Sequence, residues 1–304
     1  MVGAVLSEYH PFASAESRER YLAHYDEQAA SWPLASETRM VDAMHGRTLV
    51  RVSGPSDAPP LVLLNGVWTH SLQWASSMIK SFSEKYRTHT LDNLYDLGRS
   101  VSALPAKGTG DHMAWLDELF DALGLSGGIN IMGISRGAWL SAEYVLHAPH
   151  RIAKSIWLSP ALVAQRASLQ NAANGPRSLA VFVRPTPRTV GAMLRWLMPE
   201  WERFDRAGFE QYVAEVTLGL QCFAKIPNAM GPRVFSDSEL GGIRTPILYI
   251  AGQDEKLCSV KAAAARLASV APQVQRAVFP DAGHALITVQ EQAVSDMVLK
   301  FLAA

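Results

Sequence analysis

A serine hydroxyl is a weak nucleophile at neutral pH and becomes an effective one only beside a base that a carboxylate orients. Candidates for all three parts occur along this chain in the order nucleophile, acid, base. Ser135 lies within Gly133, Ile134, Ser135, Arg136, Gly137, a Gly-x-Ser-x-Gly run that closes an apolar, strand-like stretch. Flanking glycines permit the sharp strand-to-helix turn that pushes such a hydroxyl out of a sheet. His284 ends the run Phe279, Pro280, Asp281, Ala282, Gly283, His284 and is the base candidate. Between them, Gly252, Gln253, Asp254, Glu255 offers two adjacent carboxylates, and the residues alone leave both open. Negative charge developing on a substrate oxygen must meet preorganised N–H donors. One is the backbone N–H of Arg136, at the positive head of the helix that follows Ser135. The other is the N–H of Val67, in the loop Asn65, Gly66, Val67, Trp68, Thr69, His70, where Gly66 allows close backbone approach. Either motif alone could be a chance match or a plain turn. Their order is what points to acyl transfer.

Those residues need strand ends to hold them. A helix is expected over 17–30, then an antiparallel hairpin of strands 39–43 and 48–52 around His45 and Gly46. Strands and helices then alternate: strand 61–64, helix 72–82, strand 88–92, helix 110–123, strand 129–134, helix 136–147 and strand 155–158. Such alternation demands crossover helices and parallel strands, hence an α/β class with a mostly parallel sheet flanked by helices. Over 159–240 it stops, and apolar residues such as Met193, Trp196, Trp201, Phe209 and Val213 suggest a helical insertion above the sheet. It resumes with strand 246–251, helix 260–270, strand 275–279 and a closing helix 288–302. The core is therefore expected in 1–158 and 241–304, with 159–240 inserted. Parallel strands end on one side, so the turns bearing Ser135, the acid and His284 meet at one sheet edge.

Bulk properties narrow the function. In 304 residues, 28 basic side chains cancel 28 acidic ones, so no long-range field draws the protein to nucleic acid or an anionic membrane. A small-molecule substrate is the expectation, and a homo-oligomer is compatible with the sequence. Two cysteines, Cys222 and Cys258, make neither a disulfide scaffold nor a zinc-binding spacing, and no cofactor or metal is expected. The N-terminus turns polar at Ser7, too early for an export signal, and no apolar run reaches membrane-spanning length. These features suit the cytoplasm. His10, His45, His89, His112, His147 and His150 read as turn or solvated helix-end residues, and His70 as a neighbour of the pocket. For the Arg136 side chain, an ion pair with a nearby acid outweighs capture of a substrate carboxylate.

Taken together, these motifs resemble the α/β-hydrolase superfamily from about residue 21 to 302. The run 61–74 looks like that family's oxyanion loop, with Asn65 in place of the more frequent histidine. Asp96, Leu97, Gly98, Arg99, Ser100 looks like its glycine-containing loop after the next strand, and Ala138 stands where a glycine is often found. The family's usual acid is three places beyond the glycine, which favours Glu255 over Asp254. The opening 21–33, the loop 95–100 and a glutamate at 255 are similar to bacterial carboxylesterase-like hydrolases. The resemblance implies that 159–240 is a cap walling the substrate pocket. It also implies a serine hydrolase for a small carboxylic ester, thioester or lactone, working through an acyl-enzyme on Ser135 with His284 as base and then acid. Two alternatives stay open: carbon–carbon bond hydrolysis on the same fold, and a small-molecule receptor without turnover.

Overall fold

The computed structural model describes residues 8–167, 174–224 and 231–304. The N-terminal stretch read for an export signal, and two parts of the 159–240 insertion, lie outside them. Helix α1 (Ala15–Ala30) precedes a hairpin of β1 (Glu37–Ala43) and β2 (Gly46–Ser53). Then come β3 (Pro60–Leu64), α2 (Ser77–Ser83), β4 (Arg87–Leu91), the two-residue β5 (Val101–Ser102), α3 (Thr109–Ala122), β6 (Ile129–Ile134), α4 (Arg136–His147) and β7 (Ile152–Leu158). The chain leaves the sheet for α5 (Gly175–Val183), α6 (Pro187–Leu197), α7 (Pro199–Phe204), α8 (Arg206–Cys222) and α9 (Asp237–Gly242). It returns through β8 (Ile247–Gly252), α10 (Val260–Val270), β9 (Gln275–Phe279), α11 (Leu286–Val289) and α12 (Glu291–Ala303).

The strands lie in the order β1-β2-β4-β3-β6-β7-β8-β9, antiparallel from β1 to β4 and parallel from β4 onward. Alternation along each strand divides the core into two layers. Val62, Leu64, Ile129, Ile131, Trp157 and Tyr249 join one layer with α3, α4 and α10. Leu61, Leu63, Met132, Ile134, Ile156, Leu158, Leu248 and Ile250 join the other with α2 and α12. A sheet covered on both faces needs strands apolar on both faces, which is why the central ones read as unbroken apolar runs.

The helix expected over 72–82 is two pieces, a 3₁₀ turn Ser71–Trp74 and then α2. Ser76 breaks it by accepting the Met78 N–H as an N-cap, a competing bond that serine makes readily. Among the described inserted residues, α5 to α8 gather around Val181, Val190, Met193, Leu194, Met198, Phe209, Val213 and Val216. Phe235 and Leu240, by contrast, pack into the sheet's own core.

Candidate active site

Sterics set the turn at Ser135. Its φ of 54° and ψ of −114° place it in a region that non-glycine residues rarely adopt, the strain expected of a residue forced out of a sheet edge. The flanking glycines are required by contact: a Cβ on Gly133 would come within 2.2 Å of the Gly137 carbonyl, and one on Gly137 within 2.2 Å of the Leu64 oxygen. Helix α4 thus packs directly on the ends of β6 and β3. The Ser135 N–H donates to the Leu158 carbonyl at 2.9 Å, locking the turn to β7.

Three side chains from three strand ends form one chain of hydrogen bonds. Ser135 Oγ lies 3.0 Å from His284 Nε2, and His284 Nδ1 lies 2.7 Å from Glu255 Oε2. The other carboxyl oxygen of Glu255, Oε1, accepts the N–H groups of Lys256 at 2.8 Å and Leu257 at 2.9 Å. The acid turn and the histidine loop are themselves tied together, Gln253 N–H to the Phe279 carbonyl and Asp254 N–H to that of Ala282, both at 2.8 Å. Burial favours the neutral form of each partner, yet the pair overcomes it. Burial would raise the Glu255 carboxyl, but the charge and hydrogen bond of His284, with the two backbone donors, hold it below its ordinary value. Burial would lower the His284 imidazole, but Glu255 and the nearby charge of Glu200 hold it above. Asp254, the other acid candidate, is exposed and does not meet the imidazole. Backbone direction decides this: the Asp254 N–H faces the histidine loop, whereas the next residue turns its side chain under the ring.

The loop after β3 is held from several sides. Asn65 is buried and donates through Nδ2 to the carbonyls of Gly66 at 2.9 Å and Thr69 at 2.8 Å. The Gly66 N–H donates to Gln73 Oε1, and that of Trp68, itself at a φ of 61°, to Asp96 Oδ1, both at 2.9 Å. Among the described residues the N–H groups of Val67 and Arg136 have no protein acceptor. Two free donors beside the Ser135 hydroxyl are able to receive an oxyanion.

The Arg136 side chain behaves differently from the ion pair expected of it. It is 5% exposed, and among the described residues it meets no carboxylate at ion-pair distance. Its Nη2 donates to His112 Nε2 at 3.0 Å, while His112 Nδ1 faces the Gly108 carbonyl at 3.1 Å. Burial and the adjacent guanidinium push the His112 pKa down to about 4, so it is a neutral acceptor. His112 is therefore buried, not a solvated helix-end residue, and His89 is likewise buried, on β4. Asp96, pushed up to about 6 by burial, supplies opposing charge to Arg136. His70 lies behind the loop, its Nε2 3.1 Å from Glu215 Oε1 on α8, and Gln28 of α1 donates to Glu215 Oε2 at 2.9 Å.

Ser135 and His284 open into a cavity of about 550 Å³. Gly66, Val67 and Trp68 form its sheet side, and α6 to α8 roof it with Met193, Leu194, Trp196, Met198, Trp201 and Tyr212. A larger open groove of about 800 Å³ beside Glu37 and Arg87 contains none of these groups.

A family model described as alpha/beta hydrolase fold matches residues 59–289. The chain belongs to the α/β-hydrolase family. Within it, a carboxylesterase of Bacillus subtilis, YbfK, is 29% identical over 96% of both chains. The carboxylesterase nap of the same organism is 31% identical over 94% of this chain and 93% of its own. The crystal structure of naproxen esterase (carboxylesterase NP) from B. subtilis is similar, with a TM-score of 0.84, 28% identity, and coverage of 95% of this chain and 99% of that one. No helix among the described residues is long and apolar enough to cross a membrane. Sequence reasoning missed Glu200 as a support of the site, because it acts on backbone from a distant element and carries no motif. Gln73 and Asp96 lie inside runs that the sequence singled out, but their hydrogen bonds to the loop after β3 left no signal there.

Proposed function

We propose that this α/β-hydrolase is a serine esterase that cleaves a small carboxylic ester through an acyl-enzyme on Ser135. The observation carrying this reading is the continuous hydrogen-bond chain from Ser135 through His284 to Glu255, opening into an apolar cavity. His284 Nε2 takes the hydroxyl proton as Ser135 Oγ bonds to the ester carbonyl carbon, and Glu255 stabilises the imidazolium formed. The carbonyl oxygen becomes an anion between the N–H groups of Val67 and Arg136. The tetrahedral intermediate collapses, and the alcohol leaves with the proton from His284. Water then gives a proton to His284 and attacks the acyl carbon, releasing the acid and returning the proton to Ser135.

The roof over the cavity suggests the substrate. A volume of about 550 Å³ suits a drug-sized molecule, and tryptophan and methionine side chains there favour a bulky apolar or aromatic acyl group. The naproxen esterase relative supports the same class. In this reading α5 to α8 act as the cap, and specificity lies with them.

The test is labelling by a serine-directed fluorophosphonate. The wild type should label on Ser135 and hydrolyse p-nitrophenyl esters, with aryl-substituted acyl groups preferred over acetate, and Ser135→Ala should do neither. A wild-type protein that binds apolar ligands yet neither labels nor turns over an ester would overturn the proposal in favour of a receptor.

A further inference from the structure

The histidine loop between β9 and α11 has little structure of its own, yet one side chain from the far side of the cavity holds it. Glu200, on α7, is 7% exposed and directs its carboxyl at the backbone around His284. Its Oε1 accepts the N–H of Gly283 at 3.2 Å and of Ala285 at 2.9 Å, the residues immediately before and after the imidazole. Buried N–H groups at both positions would otherwise have no acceptor, a cost the fold avoids almost everywhere. Gly283 makes the approach possible: a Cβ there would lie 2.9 Å from Oε1 and 3.1 Å from Oε2 of Glu200. The absent side chain lets the carboxyl come this close. Ala285 also packs in the apolar cluster of α5 to α8, so the loop and the inserted helices are joined by both kinds of contact.

We propose that Glu200 is a positioning residue for His284, holding the backbone on both sides of the base and placing a second negative charge near the ring. The inserted helices then do more than shape the pocket: without them the base is not aimed at Ser135. This rests on the esterase reading given above. Glu255 faces the imidazole from the turn after β8 and Glu200 from α7, and the charge of each favours its protonated form.

Three variants test it. Glu200→Ala removes both acceptors and should lower kcat, and the rate of fluorophosphonate labelling, on the order of 10- to 100-fold with little change in KM, as expected for a base displaced by about 1 Å. Glu200→Gln keeps an acceptor oxygen without the charge. It should recover most of kcat, while the acid limb of kcat/KM and the NMR titration of the His284 ring both move to lower pH. Gly283→Ala should push the Glu200 carboxyl back from the loop, lower kcat in the same direction as Glu200→Ala though by less, and combine with it without adding to it. A Glu200→Ala protein that labels at the wild-type rate overturns the proposal. So does a Glu200→Gln protein whose His284 titration is unmoved, and this second readout decides alone if Glu200→Ala does not fold. The titration needs no substrate. A wild type inert to the probe thus refutes the esterase reading, whereas an unmoved titration refutes the role of Glu200.

Discussion

Replacing Glu255 by glutamine changes one atom at Oε2 or Oε1, and the structure determines which. Oε1 accepts two backbone N–H groups, from Lys256 and Leu257. Only an oxygen can remain there, so the new amide nitrogen must take the place of Oε2, 2.7 Å from His284 Nδ1. An N–H cannot face another N–H at that distance. The imidazole must give up its Nδ1 proton and carry one on Nε2, the atom that has to accept the proton of Ser135. The base is then in the wrong tautomer, and its imidazolium has lost its counter-charge. Loss of activity on the order of 10⁴-fold is the measured consequence of the equivalent change in a serine protease, which corresponds to about 5 kcal/mol of transition-state stabilisation. Initial rates with an activated aryl ester, followed from pH 5 to 9, measure it. Asp254→Asn, exposed one residue away, should stay within about twofold, since surface changes of this kind have small effects. A Glu255→Gln protein retaining a tenth of wild-type activity, or an Asp254→Asn protein losing as much, would refute the argument.

Other outcomes follow from the same geometry. Because His284 must be neutral to act as base and its pKa is raised, kcat/KM should fall as pH drops through a value above the 6.5 of an ordinary imidazole; a pH–rate profile reads this directly. Gly137→Ala sets a Cβ 2.2 Å from the Leu64 carbonyl, backbone against backbone. Its cost should reach or exceed about 3 kcal/mol, visible as a lowered urea midpoint. Glu215→Gln removes the counter-charge that raises the pKa of the buried His70, so it should lower the urea midpoint most below the ordinary imidazole range and progressively less as pH rises through the His70 titration.

The strands bearing the site were legible because a sheet covered on both faces requires runs such as 61–64 and 129–134, and few other structures use them. Ser135 and His284 were legible because strained turns demand small neighbours, which leaves a local pattern in glycine. The residues alone left Asp254 and Glu255 both open, since adjacent residues differ only in the direction the backbone gives each side chain, and it was the family resemblance that favoured Glu255. His112 and Arg136 show a second limit. Their pairing joins α3 to α4 across 24 positions, and neither residue's type announces burial. Glu200 shows the same limit at longer range, for its partners are main-chain groups that every residue possesses.

The buried contact of His70 with Glu215 and Gln28 bears on how ligands enter and leave. It fastens α8 to both the loop after β3 and α1, while Glu200 fastens α7 to the histidine loop. Swinging α6 to α8 away as one body would break the buried His70–Glu215 pair and both Glu200 hydrogen bonds at once. Helix α5 is held far less: of its side chains only Val181 is buried, Leu179, Phe182 and Val183 are 63%, 69% and 75% exposed, and Phe182 meets the Trp68 ring edge-on at 5.7 Å. Its Ser178 lines the cavity. A ligand that passes α5 therefore displaces the Val181 packing and the Phe182–Trp68 contact, and leaves the buried His70–Glu215 pair intact.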